Sequence, residues 1–187
     1  LQYRRQNGYN NKNPFGQHLM TSCRSWIHYK KSPQLRFSLS PFAYFQSSAI
    51  VQKSADEDKP LNHELRFSGA LNTNFKLSKK LVLRYRAGLE IRNFISQQFT
   101  IIRLRNKFGF QYQLGPKTVL SLSDELLINI AATSSFHAYD HNRTWIDFKV
   151  DCSKNIKLEI GYLFIDRLPQ NTEKILLENN FYLNLLF

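Results

Sequence analysis

The stretch Thr133-Ser134-Ser135-Phe136-His137-Ala138-Tyr139-Asp140-His141 holds the residue types of nucleophilic catalysis. A hydroxyl could attack, an imidazole could take its proton, and a carboxylate could orient the imidazole. Ser, His and Asp are common in loops, however, and residue types without a fixed geometry are not a triad. The remaining histidines, His18, His28 and His63, are scattered, and Cys23 and Cys152 belong to no metal-spaced group. The expectation is no catalytic set, no metal and no cofactor.

Charge is the second chemical resource. The 187 residues carry 26 Lys and Arg against 14 Asp and Glu, a formal charge of +12. Such an excess suits nucleic acid, an acidic membrane surface or a basic cavity. Nucleic-acid binding wants a continuous exposed basic face interleaved with aromatics. Here the basic residues alternate with apolar ones and have acidic neighbours, so no nucleic-acid partner is expected.

These charges lie on strands. Apolar residues recur at period two over about 63–77, 81–93, 100–114, 117–131, 143–153, 156–166 and 175–187, and more weakly over 18–30 and 34–46. A stub at 1–6 makes roughly ten strands, as this pattern is read. Mean hydropathy is −0.42, and no apolar run approaches the roughly 20 residues of a spanning helix. Tight turns at 31–33, 78–79, 115–117 and 153–155 alternate with mostly longer loops at 7–17, 51–62, 95–99, 133–142 and 168–174. Such alternation is what an up-and-down meander produces. The fold class is therefore all-β, an antiparallel up-and-down transmembrane β-barrel in one domain, 1–187.

Alternation alone does not say which face is inside, because a soluble barrel reads the same with its faces exchanged. Strand length favours a membrane barrel. So do aromatics at the strand ends: Tyr29, Phe37, Phe75 and Tyr112 near the short turns, and Phe45, Phe67 and Phe164 near the long loops. The last strand puts Phe181, Leu183, Leu185 and Phe187 on one face, which resembles the terminal signal read by the barrel-insertion machinery. That orientation sends the polar face into the lumen. The lumen then holds Arg24, Arg36, Arg66, Arg84, Arg86, Arg92, Arg103, Arg105, Lys107, Lys149 and Lys157. It also holds Glu64, Glu90, Glu125, Asp147, Asp151, Glu159 and Glu178. Enclosed charges must pair or stay hydrated, and Glu90 and Arg103 sit at equal depth across a short loop. Asn106 and Asp124 break the apolar face. A bulge that turns Asp124 inward is the favoured explanation, and a partner protein covering that side is the other.

The chain resembles an uncharacterised outer-membrane barrel family common in Bacteroidetes and catalogued as a domain of unknown function. The residues that carry the resemblance are Leu1-Gln2-Tyr3-Arg4-Arg5, His63-Glu64-Leu65-Arg66-Phe67, Asp140-His141-Asn142-Arg143, and the hairpin strand Asn155-Ile156-Lys157-Leu158-Glu159-Ile160-Gly161-Tyr162. It implies one or two strands before Leu1, about 12 in the full barrel, and no known activity.

The reading for function is a non-enzymatic outer-membrane barrel with a salt-bridged lumen, serving as a structural or accessory subunit of a larger envelope complex. Its long loops would be extracellular, and its short turns and C-terminus periplasmic. Its partners would be the lipid bilayer with lipopolysaccharide, other outer-membrane proteins and, during biogenesis, the insertion machinery. The first alternative is a small anion-preferring channel. The second is a lipid-modifying enzyme, although the His-x-Ser arrangement familiar from barrel phospholipases is absent.

Overall fold

A computed structural model of the chain describes residues 1–11, 13, 15–134, 136–153, 155–169 and 173–186, with the backbone only at Leu186. Eleven strands form one antiparallel sheet: β1 (Gln2–Gln6), β2 (Gln17–Arg24), β3 (Ile27–Lys30), β4 (Leu35–Ser47), β5 (Asn62–Lys76), β6 (Leu81–Phe94), β7 (Phe99–Gly115), β8 (Thr118–Ala132), β9 (Tyr139–Asp151), β10 (Lys157–Arg167) and β11 (Leu176–Leu186). Each pairs with its neighbour in sequence, except that β2 and β3 both pair with β4. The sheet curls into an open barrel: β1 and β11 are its two edges, with no ladder between them among the described residues.

The strand expected at 18–30 is thus two strands. The break falls at Ser25 and Trp26, opposite an irregularity between Ser40 and Ala43 in β4. Pro41 has no backbone N–H to give the ladder. Ser25 bridges the gap instead, donating its backbone N–H and its hydroxyl to the Phe42 carbonyl, at 3.2 and 3.1 Å. The extra residue also reverses the side-chain parity of the rest of β4. Phe45, expected on the outer face, is buried inside, with the Arg66 guanidinium 3.7 Å from its ring centroid.

The β9 strand starts earlier than expected, because Tyr139–Asn142 continues the ladder rather than a loop. The pairing steps from Leu127↔His141 to Ile128↔Tyr139, leaving Asp140 as the extra residue of a bulge.

The two faces are inverted relative to a soluble protein. Fourteen polar or charged residues are buried against six apolar ones among the described residues. Phe37, Phe67, Phe108, Phe110, Leu122, Ile146, Ile160 and Leu183 lie exposed on the outside. Since alternate side chains point to opposite faces, the apolar set is outside and the charged set lines the lumen. Among the described residues no helix is long and apolar enough to cross a membrane, which leaves strands unaddressed.

Candidate functional site

The register stacks the inward side chains in layers. Nearest the long loops lies a dense ionic cluster. Glu64 accepts from Arg66 and Arg92, with 2.6 Å to each Nε. The structure places Arg103 opposite Glu90, to which it donates, and Glu90 and Arg103 are 0% and 2% exposed. Arg24 reaches Glu90 from β2 at 3.3 Å, and Arg105 reaches it from β7 at 3.0 Å. Arg105 also bonds Glu125 at 2.7 Å, and Arg143 lies 3.8 Å from Glu125.

The bulge turns Asp140 inward, where Arg103 donates to it and Arg92 lies 3.6 Å away. His141 Nδ1 sits 3.1 Å from the same carboxylate. Each carboxylate here therefore meets at least two guanidinium groups. Strand-to-strand pairs and chords such as Arg24 to Glu90 fill the bore together, and the Ser40 and Ser68 hydroxyls also accept from Arg24, at 3.3 and 2.6 Å. Such charges are enclosed without large cost only because every one is partnered.

Sequence reasoning missed three members of this cluster. Arg143 shares the inward parity of Trp145, Asp147 and Lys149, so that parity could have found it. Asp140 and His141 were assigned to a loop, because nothing in the residue types marks the bulge that turns them in. They also belong to the stretch that holds the residue types of a Ser-His-Asp set. Asp140 is engaged by Arg103, His141 is enclosed beside it, and Ser135 lies outside the described residues.

Towards the short turns the lumen opens into a vestibule, part of a cavity of about 1630 Å³ that also runs beside β1 and β11 as far as Gln52 and Glu178. Arg36, Arg84, Arg86 and Lys107 line it, as do Asp147, Lys149 and Glu159. Lys149 bonds Glu159 at 2.6 Å. Lys157 and Asp151 pair at 3.5 Å on the rim, and Glu178 pairs with Arg167 at 2.7 Å. The other four cations have no carboxylate within 4.0 Å among the described residues. Two rest on indoles: Arg86 lies 5.0 Å from the Trp26 centroid and Lys107 lies 3.6 Å from that of Trp145. The Tyr182 ring covers Gly161, where a Cβ would collide with it.

On the outer face the favoured inward turn of Asp124 does not occur. No register irregularity falls there, and its side chain is exposed, accepting from Thr144 Oγ1 at 2.8 Å and Asn142 Nδ2 at 3.0 Å. Asn106 accepts from Tyr85 at 3.0 Å. Local donors thus satisfy the polar breaks in place, which removes the need for a bulge. Phe181, Leu183 and Leu185 line one exposed face of β11, and Phe187 lies outside the described residues.

A sequence model of one family, described as "Protein of unknown function (DUF2490)", matches residues 1–172. No curated protein and no solved structure matches the chain.

Proposed function

The chain belongs to that family of unknown function, and from this premise we propose that it is an integral outer-membrane barrel, non-enzymatic and closed by its ionic cluster, serving as a structural or accessory subunit of an envelope complex. The observation that carries the reading is the pairing of an exposed apolar outer face with a buried, ion-paired lumen. In water such a face would aggregate; in lipid it is the favoured arrangement. Strands are a suitable spanning element, because the ladder satisfies backbone groups between neighbours. The short turns would face the periplasm and the long loops the exterior.

The accessory role rests on the strip formed by Asp124, Asn142 and Thr144 on the outer side of β8 and β9. A carboxylate at mid-strand is costly against acyl chains and acceptable against a neighbouring protein with donors. Native purification in mild detergent tests this role. A co-purifying outer-membrane protein that is lost in Asp124→Leu supports it, and a barrel that always migrates alone overturns it.

The runner-up is an anion-preferring channel, favoured by the unpaired cations of the vestibule. Planar-bilayer recording separates the two readings. Reproducible anion-selective steps from purified protein defeat the closed lumen, whereas a silent bilayer supports it.

A further inference from the structure

We propose that the vestibule is a binding site for a small phosphorylated molecule, held by Arg36, Arg84, Arg86 and Lys107. The inference requires only the lumen geometry and holds whether or not the ionic cluster conducts. It starts from an imbalance. In the cluster above, Glu64, Glu90, Glu125 and Asp140 each face at least two guanidiniums. One layer below, the register aligns Arg36, Asn72, Arg86 and Lys107 across four adjacent strands and continues to Glu125, which is taken by Arg105 and Arg143; Arg84 is in the next layer beside Asn74. None of these four cations forms an ion pair among the described residues, and Arg36 Nε is a buried donor with no partner.

Of the carboxylates among the described residues that line the cavity, Glu159 pairs with Lys149 and Glu178 with Arg167, and Asp147, on β9 two strands from Lys107, makes no ion pair. With Arg4, Arg5 and Lys30 also on the lining, seven positive charges without an ion pair among the described residues face one such negative charge in a concave, partly enclosed space. Phosphate suits them by chemistry. Its oxygens accept from several guanidinium forks at once, and its double charge offsets more of the excess than a carboxylate would. Asn74 adds a neutral donor, and Asp147 can accept from a hydroxyl on the organic part. A cavity of about 1630 Å³ admits more than bare phosphate. The shared chemistry is a phosphate ester, whether a soluble metabolite entering by the short-turn end or a lipid headgroup.

The site contains its own reporter. The chain has two tryptophans, and each touches one of its cations: Trp26 touches Arg86 and Trp145 touches Lys107. A ligand that draws Arg86 and Lys107 onto its oxygens weakens both cation–π contacts, so binding should change the intrinsic fluorescence.

The test uses the full chain in detergent at constant ionic strength, titrated with pyrophosphate, with short-chain phosphatidate in mixed micelles, and with chloride as reference. The expected result is saturable fluorescence change with one or both phosphates, at concentrations where chloride gives none. Saturation by pyrophosphate assigns a soluble ligand. Saturation by phosphatidate alone assigns a headgroup. Arg84→Gln with Arg86→Gln should weaken binding about a hundredfold, the loss expected for two charge-assisted hydrogen bonds. Lys157→Gln, on the rim, should leave it unchanged. Heat-modified migration on gels verifies that each variant has folded. Response to phosphate no stronger than to chloride overturns the proposal, as does unchanged affinity in the folded double variant.

Discussion

The two halves of the lumen have similar side chains, both carry an excess of positive charge, and they differ in how far those charges are paired. Towards the long loops, six arginines and His141 surround four carboxylates and the bore is filled. Towards the short turns, Arg36, Arg84, Arg86 and Lys107 lie in a wide cavity where one carboxylate, Asp147, makes no ion pair among the described residues. The difference comes from which cations take the carboxylates rather than from composition. The arginines of the ionic half take them by direct pairing and by chords such as Arg24 to Glu90, and even Glu125, opposite Lys107 in the ladder, bonds Arg105 instead. The ionic half is best understood as a filler that fixes geometry, since a buried network of this kind contributes little net stability over an apolar core. The open half keeps its charges available to solvent and solutes.

The strongest way to break this comparison is at Glu90, which faces Arg24, Arg66, Arg103 and Arg105. Glu90→Gln leaves several buried guanidiniums short of an acceptor, at a cost of about 3–5 kcal/mol. The urea midpoint in detergent should fall accordingly, and bilayer conductance should rise if the cluster is what closes the bore. An unchanged midpoint would show that water already reaches these charges, and the two halves would then differ less than their geometry implies.

The reverse substitution sharpens the same contrast. Asn72 lies between Arg36 and Arg86 in one layer, so Asn72→Glu gives the vestibule the acceptor it lacks. Pyrophosphate affinity should drop at least tenfold, roughly 1.4 kcal/mol, while the urea midpoint holds or rises. Unaltered affinity with the protein folded would mean that the vestibule charges act independently of their layer.

The strand order and the inward set were legible because period two is a local signal that each strand repeats. Glu90 and Arg103 could be matched from hairpin register alone. Bulges were not legible. The irregularity at Pro41 and Phe42 moved Phe45 inside, and the one at Asp140 converted an apparent loop acid into a partner of Arg103. One inserted residue reverses parity without altering composition, so only the ladder itself reveals it. The imbalance between the halves was hidden for a related reason. All the charges carried the same inward parity, and chords such as Arg24 to Glu90 depend on curl.

On the outer face Asp124 offers a smaller test. Asp124→Asn keeps an acceptor for Thr144 and removes the charge. Against lipid it should stabilise by about 1 kcal/mol, below the roughly 2–4 kcal/mol of a midplane Lys or Arg. Destabilisation in the isolated protein would indicate that the carboxylate is well hydrated or more tightly held by Asn142 and Thr144 than its exposure suggests.

The smallest effect is expected outside the barrel wall, where one acid is paired much as the cluster acids are but in a loop. Asp56 ends the short 3-10 turn Ser54–Asp56. Lys59 lies 2.7 Å from it, and the backbone N–H groups of Gln52 and Lys53 donate to it at 3.0 Å each. The Lys59 hydrogen bond and the Gln52 N–H hold its carboxyl down, to about 2 from the usual 3.8. A depressed folded-state value means that its contribution is fully present above the ordinary aspartate range and is lost as the pH falls from about 4 towards 2. Pepsin should therefore cut the 48–61 loop faster at pH 2.5 than at pH 4, by more than the enzyme's own activity changes on an unfolded reference substrate. Asp56→Asn should remove that excess by making the loop equally open at both values. Since Lys59 is half-exposed, the pair is screened by solvent and salt, so high salt should shrink the excess as well. The same salt should leave the urea midpoint of the buried cluster nearly unmoved, and a midpoint that falls in step with the loop would place the cluster carboxylates in water too.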